Sequence, residues 1–284
     1  MAQLFPLQDV PSSIETLLRA SLTGLKKPGN KLPEKGYTIE GLTIDKKQFA
    51  AYCKMFGFEG STVPSSYWYI RLFSLQSLLL AHPDAPFPMP GMVHLSCEIK
   101  QYDTIYPSDK LDATCKFGKL IQHDKGTAVE IIVTLKRHDK VVWEEKNINL
   151  YMGKKGLGEP AEEKPAIEIT EADRTLPWSL ATNLGLEYAK VSGDFNPIHL
   201  HTIGAKILGF PKHLIHGWYS LSRAIAPIQS SMKGAHELYV SFKKPLFLPG
   251  KVVSRTQETS DTIFFDVINE KEGYPHLKGY VKKG

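Results

Sequence analysis

The chain states one pattern twice, and that repetition limits its possible folds more than any other feature. Residues 52–58 (Tyr-Cys-Lys-Met-Phe-Gly-Phe) run parallel to residues 188–194 (Tyr-Ala-Lys-Val-Ser-Gly-Asp). A helix-like stretch follows each. From Ser66 to His82, Trp68, Leu72, Leu75 and Leu79 mark one helical face, and Tyr67, Ile70, Phe73 and Leu78 fill the others. A helix apolar nearly all round is a buried helix. From Gly217 to about Ser231, Trp218, Leu221, Ile225 and Ile228 share a face, and Pro227 should end or kink that helix early.

Strand-like runs rich in Val, Ile, Thr, Tyr and Phe come next in both halves. Met92–Tyr106 leads through Pro107-Ser108-Asp109-Lys110 into Leu111–Leu120, then Thr127–Leu135 and Val141–Tyr151. Glu237–Leu248 leads through Pro249-Gly250-Lys251 into Val252–Glu258, then Thr262–Asn269 and His276–Lys282. One buried helix followed by antiparallel strands fits an α+β unit, a curved sheet wrapped around its helix. Two such units in one chain can pair their sheets edge to edge and so cover an exposed strand. The segment Gly153–Pro177, rich in Gly, Pro, Glu and Lys, reads as a linker. The expected organisation is an N-terminal arm (1–37), a first repeat (38–152), the linker (153–177) and a second repeat (178–284).

Composition narrows the function classes. Hydrophobic residues at 42% and charged residues at 23% are those of a globular protein. The stretch from Met1 to Leu22 lacks the pattern of a secretory leader, and the most apolar run, Leu72–Ala81, is too short to span a bilayer. Three cysteines, Cys53, Cys97 and Cys115, have no metal-like spacing and read as free thiols in a reducing cytoplasm. The net charge of +5 favours an anionic ligand such as a nucleotide-tailed thioester. It is too diffuse for nucleic acid, and no nucleic-acid motif accompanies it.

Residues 188–199 carry the chemistry. Gly193 permits a tight turn. Asp194, Asn196 and His199 then fall within six residues, stiffened by Pro197. A carboxylate and a neutral imidazole can hold one water between them for general acid–base work near neutral pH. Further on, His216-Gly217 opens the second helix, where free backbone N–H groups can stabilise an oxyanion and a glycine admits a ligand. An acid–base pair beside an oxyanion site fits chemistry at the carbon β to a thioester carbonyl.

Ser192-Gly193-Asp194-Phe195-Asn196-Pro197-Ile198-His199, with Phe210-Pro211 and His216-Gly217, resembles the hydratase-2 motif of the MaoC-like dehydratases, (R)-specific enoyl-CoA hydratases with the hot-dog fold. From about Val63 to Asp109, and most clearly over residues 86–94, the first half resembles the degenerate first hot dog of two-repeat members. The resemblance implies a double hot dog, a helix-wrapping sheet in each half, paired as a pseudo-dimer. It implies that Asp194 and His199 hold the catalytic water, that Asn196 orients the loop with a bond to His199 as an option, and that the Gly217 N–H polarises the thioester carbonyl. Water would then add reversibly across a trans-2-enoyl thioester to give the (3R)-hydroxyacyl thioester, in fatty-acid or related acyl metabolism. Coenzyme A or an acyl carrier protein is the handle, and neither a metal nor a redox cofactor is called for. A monomer or a homodimer is compatible with two fused repeats.

His201 departs from the acidic residue many members carry there. In the first half Phe58 stands in place of Asp194 and Val63 in place of His199, so that half should be catalytically dead and instead shape the acyl tunnel. Three alternatives stand beside this reading. Hot-dog folds also host acyl-CoA thioesterases, and some hot-dog chains are non-catalytic acyl-binding subunits of a dehydratase. His199, His201, His213 and His216 could also form a metal cluster.

Overall fold

A computed structural model describes residues 2–25 and 28–284. The elements run β1 (Gln3–Leu7), α1 (Ser13–Leu22), β2 (Lys35–Leu42), α2 (Lys46–Phe56), α3 (Tyr67–Leu80), β3 (Val93–Gln101), β4 (Leu111–His123), β5 (Gly126–Arg137) and β6 (Lys140–Met152) in the first half. The second half has β7 (Arg174–Leu180), α4 (Leu184–Ser192), α5 (Pro197–Leu200), α6 (Thr202–Ile207), α7 (Gly217–Ile225), β8 (His236–Phe242), β9 (Gly250–Glu258), β10 (Thr262–Asn269) and β11 (Pro275–Lys283). Helix α7 passes at Ala226 into a 3-10 segment that runs to Met232. Pro227, which has no N–H to give, accounts for the change.

The strands form one eleven-stranded sheet in the order β1-β2-β4-β5-β6-β3-β8-β11-β10-β9-β7. Every pairing is antiparallel except β1 with β2. The two repeats meet at β3 and β8, where Cys97 lies opposite Val240. This is the double hot dog: α3 and α7 are the helices the two curved half-sheets wrap. Trp68, Leu72, Leu75 and Leu79 of α3, and Leu221 and Ile225 of α7, are all buried in one continuous core. The near-complete apolar circumference of α3 follows from that enclosure.

The lead elements are wider than the sequence pattern suggests. Strand β2 begins at Lys35, inside the expected arm, and β7 at Arg174, inside the expected linker. Pro177 hides β7 in the sequence, yet β7 is an edge strand, where a missing N–H breaks no ladder. Tyr52 and Tyr188 lie on helices α2 and α4.

The arm is built into the fold. Its β1 extends the sheet, and the Ser13 hydroxyl of α1 bonds that of Ser74 on α3 at 2.9 Å. The segment between β6 and β7 straps the sheet's outer face. Glu159 bridges Ile121, Lys164 binds Glu98, and Ile167 is buried beside Tyr239 and Tyr280. Cys97 and Cys115 are buried and Cys53 half-buried, all as free thiols. No helix among the described residues is long and apolar enough to cross a membrane.

Candidate active site

Helix α4 ends on Gly193 in the left-handed region (φ 79°), which favours glycine and turns the chain sharply. The next residues are spaced for a second, four-residue helix. Asn196 is its N-cap, accepting the Ile198 N–H on its side-chain oxygen at 3.3 Å, and Pro197 opens the helix. His199 then sits in the first turn, its N–H bonded to the Asn196 carbonyl at 3.0 Å. Asn196 therefore holds the loop through its cap and its backbone, and the optional side-chain bond to His199 is not made. His201 caps α6 by accepting the Ile203 N–H on Nδ1 at 3.2 Å.

The loop brings Asp194 and His199 together. Asp194 Oδ2 is 3.9 Å from His199 Nε2. His199 Nδ1 lies 2.8 Å from the Leu214 carbonyl. A carbonyl only accepts, so Nδ1 carries the proton and Nε2 offers a lone pair. Two proton acceptors thus face one another, too far apart for a direct bond and close enough to share one water. Burial pushes the Asp194 carboxyl above its ordinary range, opposed by His199 and by the Asn196 N–H. Burial pushes His199 below the ordinary histidine value, opposed by Asp194 and the Leu214 carbonyl.

A further side chain completes the group. His216, the N-cap of α7, stacks on His199 with ring centroids 3.7 Å apart. Its Nε2 donates to the Asp194 backbone carbonyl at 2.9 Å. Nδ1 is left buried with no hydrogen-bond partner. Burial, and then His199, hold its pKa well below the ordinary value, so the ring is neutral. The sequence singled out His216 only as a helix opener and a candidate ligand; its contact with Asp194, 22 positions away, has no local signature. Tyr188, on α4, packs edge-on to His216 at 4.8 Å.

Gly217 is the first residue of α7, so its N–H has no acceptor within the helix. A Cβ added there would lie 2.8 Å from the Phe242 ring, so only glycine fits between α7 and β8.

The histidine cluster divides. His213 is engaged elsewhere, with Thr202 Oγ1 and the Thr182 carbonyl, and His201 is the cap of α6. Asp194, His199 and His216 do present ligand-type atoms within 4.8 Å of one another. Two of the ring nitrogens there are bonded to backbone carbonyls.

The corresponding place in the first half is filled. Helix α2 ends on a left-handed glycine too, Gly57 (φ 82°). Phe58 follows it, buried and stacked on Tyr52 at 5.5 Å, and Val63 is buried as well. Tyr67 opens α3 as Gly217 opens α7, and it is fully buried. What remains is a cavity of about 30 Å³ beside Phe58, Val63, Ser65 and Gln101, room for about one water.

Comparison with known proteins places this geometry. The profile of the family described as MaoC like domain matches residues 155–279. 3-Hydroxyacyl-thioester dehydratase X of Mycobacterium tuberculosis is 30% identical over 280 residues, covering 96% of this chain and 98% of that protein. The crystal structure of HtdX of Mycobacterium tuberculosis superposes with a TM-score of 0.76 at 27% identity, over 88% of this chain and all of that one. A MaoC-like dehydratase from Phytophthora capsici superposes with a TM-score of 0.72 over 88% of this chain and 94% of that one; at 18% identity the likeness is one of fold.

Proposed function

Because the chain belongs to the MaoC-like dehydratases, a family of hydro-lyases, we propose that it adds water reversibly to trans-2-enoyl thioesters, giving (3R)-hydroxyacyl thioesters. The observation that carries this reading is the pair of unbonded acceptors, Asp194 Oδ2 and His199 Nε2, at 3.9 Å. One water donates a hydrogen to each. Its oxygen attacks the β-carbon of the enoyl group while one of its protons passes to the dyad. Electron density moves to the thioester oxygen, which the Gly217 N–H and the positive end of α7 stabilise. The proton held by the dyad is then delivered to the α-carbon, and the new hydroxyl keeps the water's other hydrogen. Dehydration retraces these steps.

Asn196 holds the loop, and His216 fixes the Asp194 backbone and the plane of His199. The acyl group arrives on coenzyme A or the arm of a carrier protein. The reaction calls for neither a metal nor a redox cofactor, which total metal analysis of active protein would check. Each chain has one site, in the second half.

The test is the loss of enoyl-thioester absorbance with crotonyl-CoA and with a longer trans-2-enoyl-CoA, for wild type, Asp194→Asn and His199→Ala. Turnover by wild type that both variants lose supports the reading. A well-folded wild type that is inert with both, and with carrier-protein thioesters, would sink it. Release of free thiol in place of hydration would move the chain to the thioesterases.

A further inference from the structure

Strand β6 presents a polar inner face where a core face should be apolar. Glu145 and Asn147 are both buried, at 0% and 1% exposure, and point with Trp143 toward α3. The second repeat does the opposite at the same places. Asn147 pairs with Cys97 and Glu145 with Ile99. Across the seam Gly279 pairs with Val240 and Leu277 with Phe242. The strand β11, which borders β8 as β6 borders β3, thus carries Leu277, Gly279 and Val281 on its buried face, with no carboxylate or amide among them.

Side chains around Glu145 satisfy it only in part. Gln76 Nε2 donates to Glu145 Oε1 at 2.9 Å, and Asn147 Nδ2 donates both to Gln76 Oε1 at 2.8 Å and to Glu145 Oε1. Three buried atoms are left without a partner: Glu145 Oε2, Asn147 Oδ1 and the Nε2 of part-buried His94. A buried polar atom left unbonded is costly, so Glu145 Oε2, beside an Asn147 and a His94 that lie near enough to interact with each other, points to something that binds there.

Contacts lead from the reacting centre to this cluster. Phe242 lies against Gly217, and His94 lies 4.9 Å from Phe242 between ring centroids. Asn147 is a polar neighbour of His94. Tyr69, which stacks on Trp218 at 3.8 Å, is close enough to both Asp194 and Glu145 to feel their charges. The cluster therefore begins one layer of side chains beyond the glycine proposed to hold the thioester oxygen, within the half that lacks a dyad.

We propose that Glu145, Asn147, Gln76 and His94 form a subsite for a hydroxyl group carried on the acyl chain, beyond the carbons that react. The free valences match that group. With Oε1 already accepting two N–H bonds, the proton of a neutral Glu145 sits on Oε2 as a donor, and Asn147 Oδ1 is an acceptor. A hydroxyl accepts from the first and donates to the second, whereas a ketone would leave Asn147 Oδ1 unpaired. Burial raises the Glu145 pKa to about 8, consistent with a carboxyl kept neutral as a donor at pH 7.

This subsite rests on the enoyl-thioester reading, and the experiment separates the two. Matched trans-2-enoyl-CoA substrates of one chain length, plain or with a hydroxyl walked along the chain, are compared by kcat/KM. Calorimetric binding of the matching saturated acyl-CoAs gives a second readout that needs no turnover. Wild type is expected to favour one hydroxyl position over the plain chain by at least about tenfold, as sites built around a substrate hydroxyl do. Glu145→Leu, which gives β6 an apolar inner face like that of β11, should abolish or reverse that ratio. The near-isosteric Glu145→Gln, which keeps a donor, should retain part of it. Turnover or binding with no preference at any position, or a preference unchanged in Glu145→Leu, overturns the subsite. A preference in binding without turnover on any substrate would leave the subsite standing and sink the hydratase reading.

Discussion

Helices α2 and α4 end alike, on Gly57 and Gly193 with φ of 82° and 79°, and each carries a buried tyrosine five residues earlier, Tyr52 and Tyr188. The chain then makes different use of the same turn. After Gly193 come a carboxylate and, five residues on, a histidine beside a helix that starts with glycine. After Gly57 come Phe58 and Val63 beside a helix that starts with Tyr67. The backbone is retained because both turns close a core; only the side chains at the turn decide whether that closure leaves a site. The halves also lean on each other. His94 of the first half packs against Trp218 and Phe242 of the second, while His236 of the second bonds Ser65 of the first at 2.9 Å. Tyr52 reaches across to Ser222 at 2.8 Å. The half without a dyad is thus part of the walls of the half with one.

The largest effect should come from trading the turn residues. Asp194→Asn should lower kcat by about a thousandfold, since it removes one of two acceptors for the water. Adding Phe58→Asp and Val63→His to that variant should restore nothing, because Tyr67 still opens α3 where Gly217 opens α7 and fills the place proposed for a ligand. Recovery of even a hundredth of the lost rate in the triple variant would show that the first half is a masked site and not a filled one. The triple variant should also be less stable, because a carboxylate would replace a ring stacked on Tyr52.

Next comes Gly217→Ala. The added methyl would meet Phe242 at 2.8 Å, so the start of α7 must shift away from the substrate carbonyl. A loss of about a hundredfold in kcat is expected, in line with removal of an oxyanion donor. Truncating the ring as well, in Gly217→Ala/Phe242→Ala, should recover part of the rate if the clash is the cause. No recovery would point to the substrate itself needing the glycine.

Much of this comparison was legible in the sequence, and what was not has identifiable causes. The order of helix and strands showed because α3 is apolar all round and the strands are β-branched, both local properties. The loop from Gly193 to His199 showed because turn, cap and helix start each need a particular residue. Strand β7 did not show, since Pro177 speaks against a strand unless its place at the sheet edge is known. The arm did not show either, because β1 and α1 owe their positions to β2 and Ser74. His216 was visible as a residue but its bond to the Asp194 carbonyl was not, since only the fold joins them. Glu145 and Asn147 lie within an alternating strand and look like solvent-facing residues until β6 is placed against α3.

A smaller effect, about tenfold in kcat, is expected for His216→Phe. The ring volume would stay while the bond to the Asp194 carbonyl goes. If His216 only positions the loop, His216→Gln should restore part of the rate by giving that carbonyl an N–H, and the pH profile should keep its shape. A profile altered in His216→Gln would mean that the imidazole itself exchanges protons during turnover.

The smallest effect separates the two halves by their histidines. In the proposed mechanism His199 is neutral and Asp194 ionised, and burial moves the two groups toward each other from 6.5 and 3.8. The acid limb of kcat/KM should therefore belong to the pair titrating as a unit and differ from that of a free histidine. His236, beside the filled place in the first half, is held neutral by burial, with its pKa lowered to about 4. As pH falls below 6.5 the unfolded chain takes up a proton that folded His236 refuses. Its contribution to stability is thus complete above pH 6.5 and lost as pH falls toward 4, at about 1.4 kcal/mol per unit of pKa difference. His236→Gln should flatten the fall of the urea midpoint over that window, and only in part, because His94, also lowered to about 4, behaves the same way. The kinetic limb should not move. If it does, the filled place and the active site are coupled through β3 and β8, and the first half does more for the reaction than shape its walls.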